Sequence, residues 1–186
     1  MATLKTAIPT LFKWESAFNN NYRFSNGSDL CGFLSVSREP ALPFETRTYD
    51  FYKARADADG RRYFFNCVFW NGLFRGCSMQ EEDGASPVAV YREYFLNFRW
   101  CHRGRIALQG GPFPWEWVRN RRKGAWIVRS GEQRFMEIHS PTPRTRGTVR
   151  LCSPPLLGTP HLHGLMLFCV YLAMGPKRYE TPRGHG

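Results

Sequence analysis

Residues 61–74 read RRYFFNCVFWNGLF, an apolar stretch rich in aromatic residues. The run is too uniformly apolar for periodicity to distinguish a buried strand from a buried helix. Asn71-Gly72 is a turn signal typical of a two-residue β-hairpin loop. In either conformation the segment is predicted to form part of the core.

Three shorter segments nearer the C-terminus are predicted to be strands. Residues 125–129 and 133–139 flank a Ser130-Gly131 turn signal, and residues 148–152 follow them. Each is rich in apolar and β-branched residues between turn-forming ones, which is the pattern of short antiparallel strands. Together they predict a small antiparallel sheet.

Three segments are predicted to be helical. Residues 10–19 place Leu11, Trp14 and Phe18 at i, i+3 and i+7, the spacing of one apolar helix face. Residues 86–102 begin with Ser-Pro, which suits an N-cap followed by the first helical turn. Residues 114–123 form a short basic segment closed by a glycine.

The expected fold is therefore α+β: one small domain of short helices on a small antiparallel sheet, with an irregular C-terminal tail. We place a basic, aromatic-rich globular domain at residues 1–152 and a Pro/Gly-rich tail at 153–186. The tail contains an apolar run at 165–174, which is shorter than the roughly 20 residues that a membrane-spanning helix needs. No membrane partner is expected.

Residues 1–16 contain two lysines and a proline and lack the apolar run of a secretory signal. We therefore expect a non-secreted protein. In the cytosol or nucleus its six cysteines would be reduced rather than joined in a disulfide framework.

The formal net charge is +11, and 21 of the 26 basic residues are arginines. Basic and acidic residues balance at ten each over residues 1–91, whereas residues 92–150 hold thirteen basic residues against four acidic ones. Guanidinium groups offer a planar donor fork that suits phosphate. The concentration of charge in one segment predicts a nucleic-acid partner, although an arginine-rich composition can also follow from GC-rich coding or an overlapping reading frame.

The candidate nucleic-acid interface comprises a basic stripe along the second predicted helix and a basic cluster interleaved with tryptophans in the third. Phosphate contacts from the basic side chains and base stacking on the aromatic rings are the chemistry expected of such a pattern. The predicted residues are Arg92, Arg99, Arg103, Arg119, Arg121, Arg122, Lys123, Trp115 and Trp117. Arg119, Arg121, Arg122 and Lys123 also fit a nuclear-localisation signal.

Two groups of residues suggest a metal site, of which a structural zinc site is not expected and a nuclease site stays an alternative; no cofactor is expected. Structural zinc would have to use Cys67, Cys77, Cys101 and His102, but their spacing lacks a paired-cysteine motif. His161-Leu162-His163 resembles the His-hydrophobe-His strand of rolling-circle replication nucleases, in which two imidazoles on one strand face hold a divalent ion. Tyr171 and Tyr179 lie too close downstream to serve as the nucleophile of such an enzyme.

Two spaced sets of residues resemble the small nuclear accessory nucleoprotein of parvoviruses, the family found in bocaparvoviruses and chaphamaparvoviruses. The first set is Phe51-Tyr52, Arg55, Asp59-Gly60 and Phe65-Asn66, and the second is Tyr91-Arg92, Phe95 and Phe98-Arg99. They cover about fifty positions as single matches. The chain departs from the bocaparvovirus pattern in lacking a long Arg/Ser-rich N-terminal region and in having a shorter spacer between the two sets.

The resemblance implies a host-nuclear, non-enzymatic protein that supports viral genome replication and the splicing and polyadenylation read-through of viral transcripts. Its expected partners are viral RNA or DNA and host RNA-processing or polyadenylation factors. Two alternatives remain open at this point. One is a metal-dependent nuclease built on His161 and His163, and the other is a protein-binding adaptor that uses exposed aromatic residues such as Trp115 and Trp117.

Overall fold

The computed structural model describes residues 11–17, 20–36, 52–70, 73–94, 103–111, 114–120, 124–142, 145–153 and 160–175. Within these residues the chain forms twelve strands and one helix. The strands are β1 (Leu11–Ser16), β2 (Asn21–Asn26), β3 (Asp29–Val36), β4 (Tyr52–Ala58), β5 (Arg61–Trp70), β6 (Leu73–Glu81), β7 (Ala89–Glu93), β8 (Arg103–Leu108), β9 (Trp115–Asn120), β10 (Ala125–Ser130), β11 (Gln133–Thr142) and β12 (Arg146–Leu151). The helix is α1 (Leu162–Met174).

The strands form a closed antiparallel barrel in which each strand pairs with its neighbours in sequence. The last strand, β12, pairs with β1 and closes the ring, with Leu11 opposite Arg150 and Glu15 opposite Arg146. Closure satisfies the backbone hydrogen-bonding groups that a sheet edge would leave unpaired. The expected α+β fold with a small sheet is therefore wrong, because the sheet is the whole wall of the domain.

Period-two alternation explains why the predicted first helix is a strand. In β1 the side chains of Phe12 and Trp14 face the interior and are 2% and 1% exposed, whereas Leu11 faces outward and is 43% exposed. The helical spacing of Leu11 and Trp14 was coincidental, since side chains on a strand alternate between two faces. Predicted helices 86–102 and 114–123 fail in the same way, because they contain β7 and β9.

The predicted hairpins are confirmed. Trp70 and Leu73 are opposite each other where β5 and β6 meet, and the turn residues 71–72 lie outside the described part. Strands β10 and β11 form the second predicted hairpin, whose turn includes Gly131 with φ of +56°. The third predicted strand is β12.

The helix α1 fills the barrel, and this corrects the expected irregular tail. Its sequence is apolar on every side, and each residue from Gly164 to Met174 is buried. A helix without a polar face is stable when apolar groups surround it. Phe168 makes an edge contact with Phe65 of the barrel wall, with ring centroids 5.3 Å apart. Among the described residues, no helix has the length and apolarity needed to cross a bilayer.

Candidate nucleic-acid interface

Three arginines lie together on the outer face of β7 and β8. Arg92 of β7 is directly opposite Arg105 of β8, and Arg103 lies two residues from Arg105 on the same face. All three side chains are exposed, whereas Tyr91 and Ile106 on the other face are buried in the barrel. We call Arg92, Arg103 and Arg105 the arginine patch.

Tyr94 holds the patch together. The guanidinium carbons of Arg103 and Arg105 each lie 5.4 Å from the centroid of the Tyr94 ring. Nε of Arg105 also donates a hydrogen bond of 2.6 Å to the Tyr94 hydroxyl. Cation–π contacts and this hydrogen bond fix two positive groups side by side, which lowers the entropy lost when an anion binds them.

Most other described arginines on the barrel surface are ion-paired. Arg62 contacts Glu82 at 2.7 Å, and Arg134 contacts Glu137 at 3.0 Å. Further pairs join Arg55 to Asp57, Arg61 to Glu81 and Arg129 to Glu116. Charges neutralised in this way attract a polyanion less strongly than charges that have no acidic partner.

Arg92 and Arg105 differ from those ion-paired arginines. Within the described ranges, no ion pair joins Arg92 or Arg105 to a carboxylate. Glu116 is opposite Arg105 on the next strand, but its carboxylate accepts a hydrogen bond of 2.9 Å from Arg129. The carboxylate opposite Arg105 therefore already has a partner.

Arg119, another predicted site residue, does not belong to the patch. It is directly opposite Trp126, and the next inward pair along these strands is Trp117 and Val128, both fully buried. Arg119 therefore extends from the inner face at one end of the barrel, where it is exposed and lies 5.1 Å from the Trp126 ring centroid. Arg99, Arg121, Arg122 and Lys123 lie outside the described residues.

Of the two predicted base-stacking tryptophans, Trp115 alone keeps some exposed surface. Trp117 is 0% exposed and makes an edge contact with Tyr91 in the core, with ring centroids 6.2 Å apart. Trp115 is partly buried and packs on Phe135 at 5.1 Å. Both rings pack against other aromatic side chains of the protein.

Sequence reasoning recovered Arg92 and Arg103 but missed Arg105. On a helix the first two were expected to lie eleven residues apart along one stripe. In the barrel they meet because adjacent strands pair. The alternation Arg103-Gly104-Arg105 was the available signal, since residues i and i+2 of a strand share a face.

The predicted His-hydrophobe-His strand is also wrong. His161 caps α1 and His163 lies in its first turn, so the two rings do not share a strand face. Nδ1 of His161 is 3.0 Å from the Tyr63 hydroxyl, and Nδ1 of His163 is 2.5 Å from a carboxylate oxygen of Asp59. Each imidazole thus has its own partner, which is not the geometry of a shared ion.

Of the four residues considered for zinc, the structure describes two, Cys67 and Cys77. Cys67 and Cys77 are buried in the barrel interior, and Cys101 and His102 lie outside the described residues. Nowhere in the described part do three or more His, Cys, Asp or Glu side chains form a metal-binding group. Burial raises the pKa of the Cys169 thiol to about 12, which disfavours the thiolate that metal binding requires.

Asp59 and His163 also line an open pocket of about 720 Å³ at the end of the barrel where α1 begins. In a nucleophile–His–Asp catalytic triad, a carboxylate hydrogen-bonded to imidazole Nδ1 orients the histidine ring. Cys31 lines the same pocket, but burial and the nearby Asp29 and Asp59 charges raise the pKa of its thiol. A raised pKa disfavours the nucleophilic thiolate, so the pocket does not present an activated cysteine.

Tyr63 supplies a pH-dependent test of how α1 sits in the barrel. Desolvation by burial, followed by the charge of Glu81, raises the pKa of its hydroxyl to about 12. The unfolded chain would lose this proton near pH 10, so folded-state stability is expected to fall as the pH rises from 10 to 12. Absorbance titration of wild type minus Tyr63→Phe should show a phenol titrating near pH 12, and titration near pH 10 would contradict this burial.

The chain matches no protein-family model, and no curated protein or solved structure is significantly similar to it.

Proposed function

We propose that this protein binds nucleic acid through the arginine patch, by contacts to phosphates and without reading base sequence. The observation that carries the proposal is the set of three outward guanidinium groups, two of them stacked on Tyr94. Arginine presents a donor fork that matches phosphate oxygens. Phosphate contacts supply affinity and position but no sequence information.

The surroundings of the patch support a polymeric anion over a small one. The patch lies on the convex outer wall of the barrel, where Arg92, Arg103 and Arg105 are all exposed. The net charge of +11 would add long-range attraction for a polyanion, and this attraction should weaken with salt. A backbone with repeating phosphates can contact several of these groups at once.

The biological setting that we propose is the host nucleus, with viral RNA or DNA as the bound polymer. The resemblance to parvoviral accessory nucleoproteins supports this setting and implies a role in genome replication and transcript processing. Of the resembling residues, Phe65 and Tyr91 are core positions and Asp59-Gly60 form the β4–β5 turn, whereas Arg92 belongs to the patch. Arg92 is thus the residue that links the resemblance to the proposed binding surface.

Replacing Arg92, Arg103 and Arg105 together with glutamine should weaken binding to RNA and DNA and flatten its salt dependence. Each lost phosphate contact on duplex DNA reduces the slope of log K against log salt by about 0.9, so the triple variant should lose roughly 3 units if all three arginines contact phosphate. Fluorescence anisotropy with labelled single-stranded RNA, single-stranded DNA and duplex DNA of one sequence measures this slope between low and physiological salt.

The matched control is the triple variant Arg55→Gln, Arg62→Gln and Arg134→Gln, which removes the same formal charge from ion-paired arginines. We expect this control to keep most of the wild-type slope. Equal losses in both variants would show that net charge, and not the patch, drives binding. An unchanged slope in the patch variant would refute the proposal.

A further inference from the structure

Two core cysteines face each other across the hairpin of β5 and β6. Cys67 and Cys77 are directly opposite in the strand register, and their sulfur atoms are 2.9 Å apart. Both belong to the barrel interior, where they are 0% and 2% exposed. The hydroxyl of Tyr171, on α1, lies 3.4 Å from the Cys67 sulfur.

This position satisfies the backbone requirement of a disulfide. Directly opposite residues of antiparallel strands have Cα atoms roughly 4.5–5.5 Å apart, and disulfides join Cα atoms roughly 4.4–6.8 Å apart. The side chains also point to the same face, as the short sulfur–sulfur distance shows. The pair can therefore be bridged without a change in strand register.

We propose that Cys67 and Cys77 are a redox modification site that forms a disulfide across the β5–β6 hairpin when the protein meets a peroxide. One thiol loses its proton, and the resulting thiolate attacks hydrogen peroxide, breaks its O–O bond and becomes a sulfenic acid, while the leaving hydroxide takes up that proton and departs as water. The second thiol then attacks that sulfur, the S–S bond forms, and the sulfenic oxygen leaves as a second water. Two thiols are oxidised and one peroxide is reduced to two waters.

The bridge would covalently join β5 to β6 at the wall that α1 contacts. Because both sulfurs are buried, reaction requires the small oxidant to enter or the hairpin to open locally. We therefore expect the bridge to form more slowly than oxidation of the exposed Cys152. This inference is independent of the proposed nucleic-acid binding, since the patch lies on the outer face.

Peptide mapping of the intact chain tests the inference. Trypsin should cleave after Arg62, Arg75 and Arg92, which places Cys67 in residues 63–75 and Cys77 in residues 76–92. After hydrogen peroxide treatment, alkylation of remaining thiols and non-reducing digestion, mass spectrometry should find these two peptides joined with the loss of two hydrogens. A thiol reductant applied before alkylation should separate them.

The controls separate this pair from the other cysteines. A Cys31→Ser/Cys152→Ser variant should still form the joined peptides, and Cys67→Ala or Cys77→Ala should not. The decisive result comes from the wild-type chain and so does not depend on whether those alanine variants fold. Recovery of Cys67 and Cys77 alkylated, or bridged to other cysteines, after peroxide treatment has continued well beyond complete oxidation of Cys152 would overturn the proposal.

Discussion

Phe168→Asp should abolish the folded barrel. Phe168 is 0% exposed at the centre of α1 and contacts Phe65 of the wall. Loss of a buried phenylalanine costs about 3–5 kcal/mol, and an unpaired carboxylate in an apolar interior adds several kcal/mol more. Together these costs are comparable to the roughly 5–15 kcal/mol that stabilises a typical domain.

Circular dichroism and limited proteolysis of the purified variant measure this loss. The variant should lack a cooperative thermal transition and be digested under conditions that leave the wild type intact. Leu30→Asp is the matched control, because it introduces the same charge at a leucine that is 54% exposed, and we expect it to melt close to the wild type. A cooperative transition at the wild-type temperature for Phe168→Asp would show that α1 is not the filling of the barrel.

The same helix shows where sequence reasoning stopped. The sequence shows that residues 165–174 are apolar and too few to span a bilayer. Their position inside the molecule, however, depends on the diameter of the barrel, and all of its strands precede this run in the sequence. Barrel width grows with strand number, and twelve strands enclose more space than their own side chains fill. Local periodicity carries no information about that space.

Strands were predictable where the turn chemistry was explicit. Asn71-Gly72 and Ser130-Gly131 separate paired strands, and both hairpins are present. Elsewhere, the apolar residues of one segment fit both a helix and a strand. Leu11 and Trp14 are three residues apart, as on a helix face, whereas Phe12 and Trp14 are two apart, as on a strand face. Tertiary closure decided those cases in favour of strands.

The sequence predicts two of the three arginines of the patch, Arg92 and Arg103, but it predicts that a helix face brings them together. Arg92 and Arg103 were expected to meet along a helix face, but cross-strand pairing joins Arg92 to Arg105 and leaves Arg103 beside them. The organising contact with Tyr94 depends on the same pairing. No spacing rule within a single segment identifies a contact of this kind.

Gly104→Val should damage the barrel and the patch together. Gly104 lies between Arg103 and Arg105 and faces the interior, and a Cβ at this position would collide with the backbone oxygen of Arg92 and with the ring of Tyr91. A backbone oxygen can move away only if the β7–β8 pairing shifts. Overpacking of this kind costs about 1–3 kcal/mol and can cost more where backbone must move, so we expect several kcal/mol of destabilisation.

Ala107→Val provides the comparison that makes this result interpretable. Ala107 is exposed on the outer face of the same strand, so the same type of side chain should be accepted there with little change in stability. Urea unfolding and fluorescence anisotropy on both variants should show a lower midpoint and weaker nucleic-acid binding for Gly104→Val alone. If Gly104→Val lowers the midpoint but binds with wild-type affinity under conditions where it remains folded, the spacing of Arg92, Arg103 and Arg105 does not determine binding. That outcome would locate the interface elsewhere on the protein, since the β7–β8 pairing is what brings the patch together.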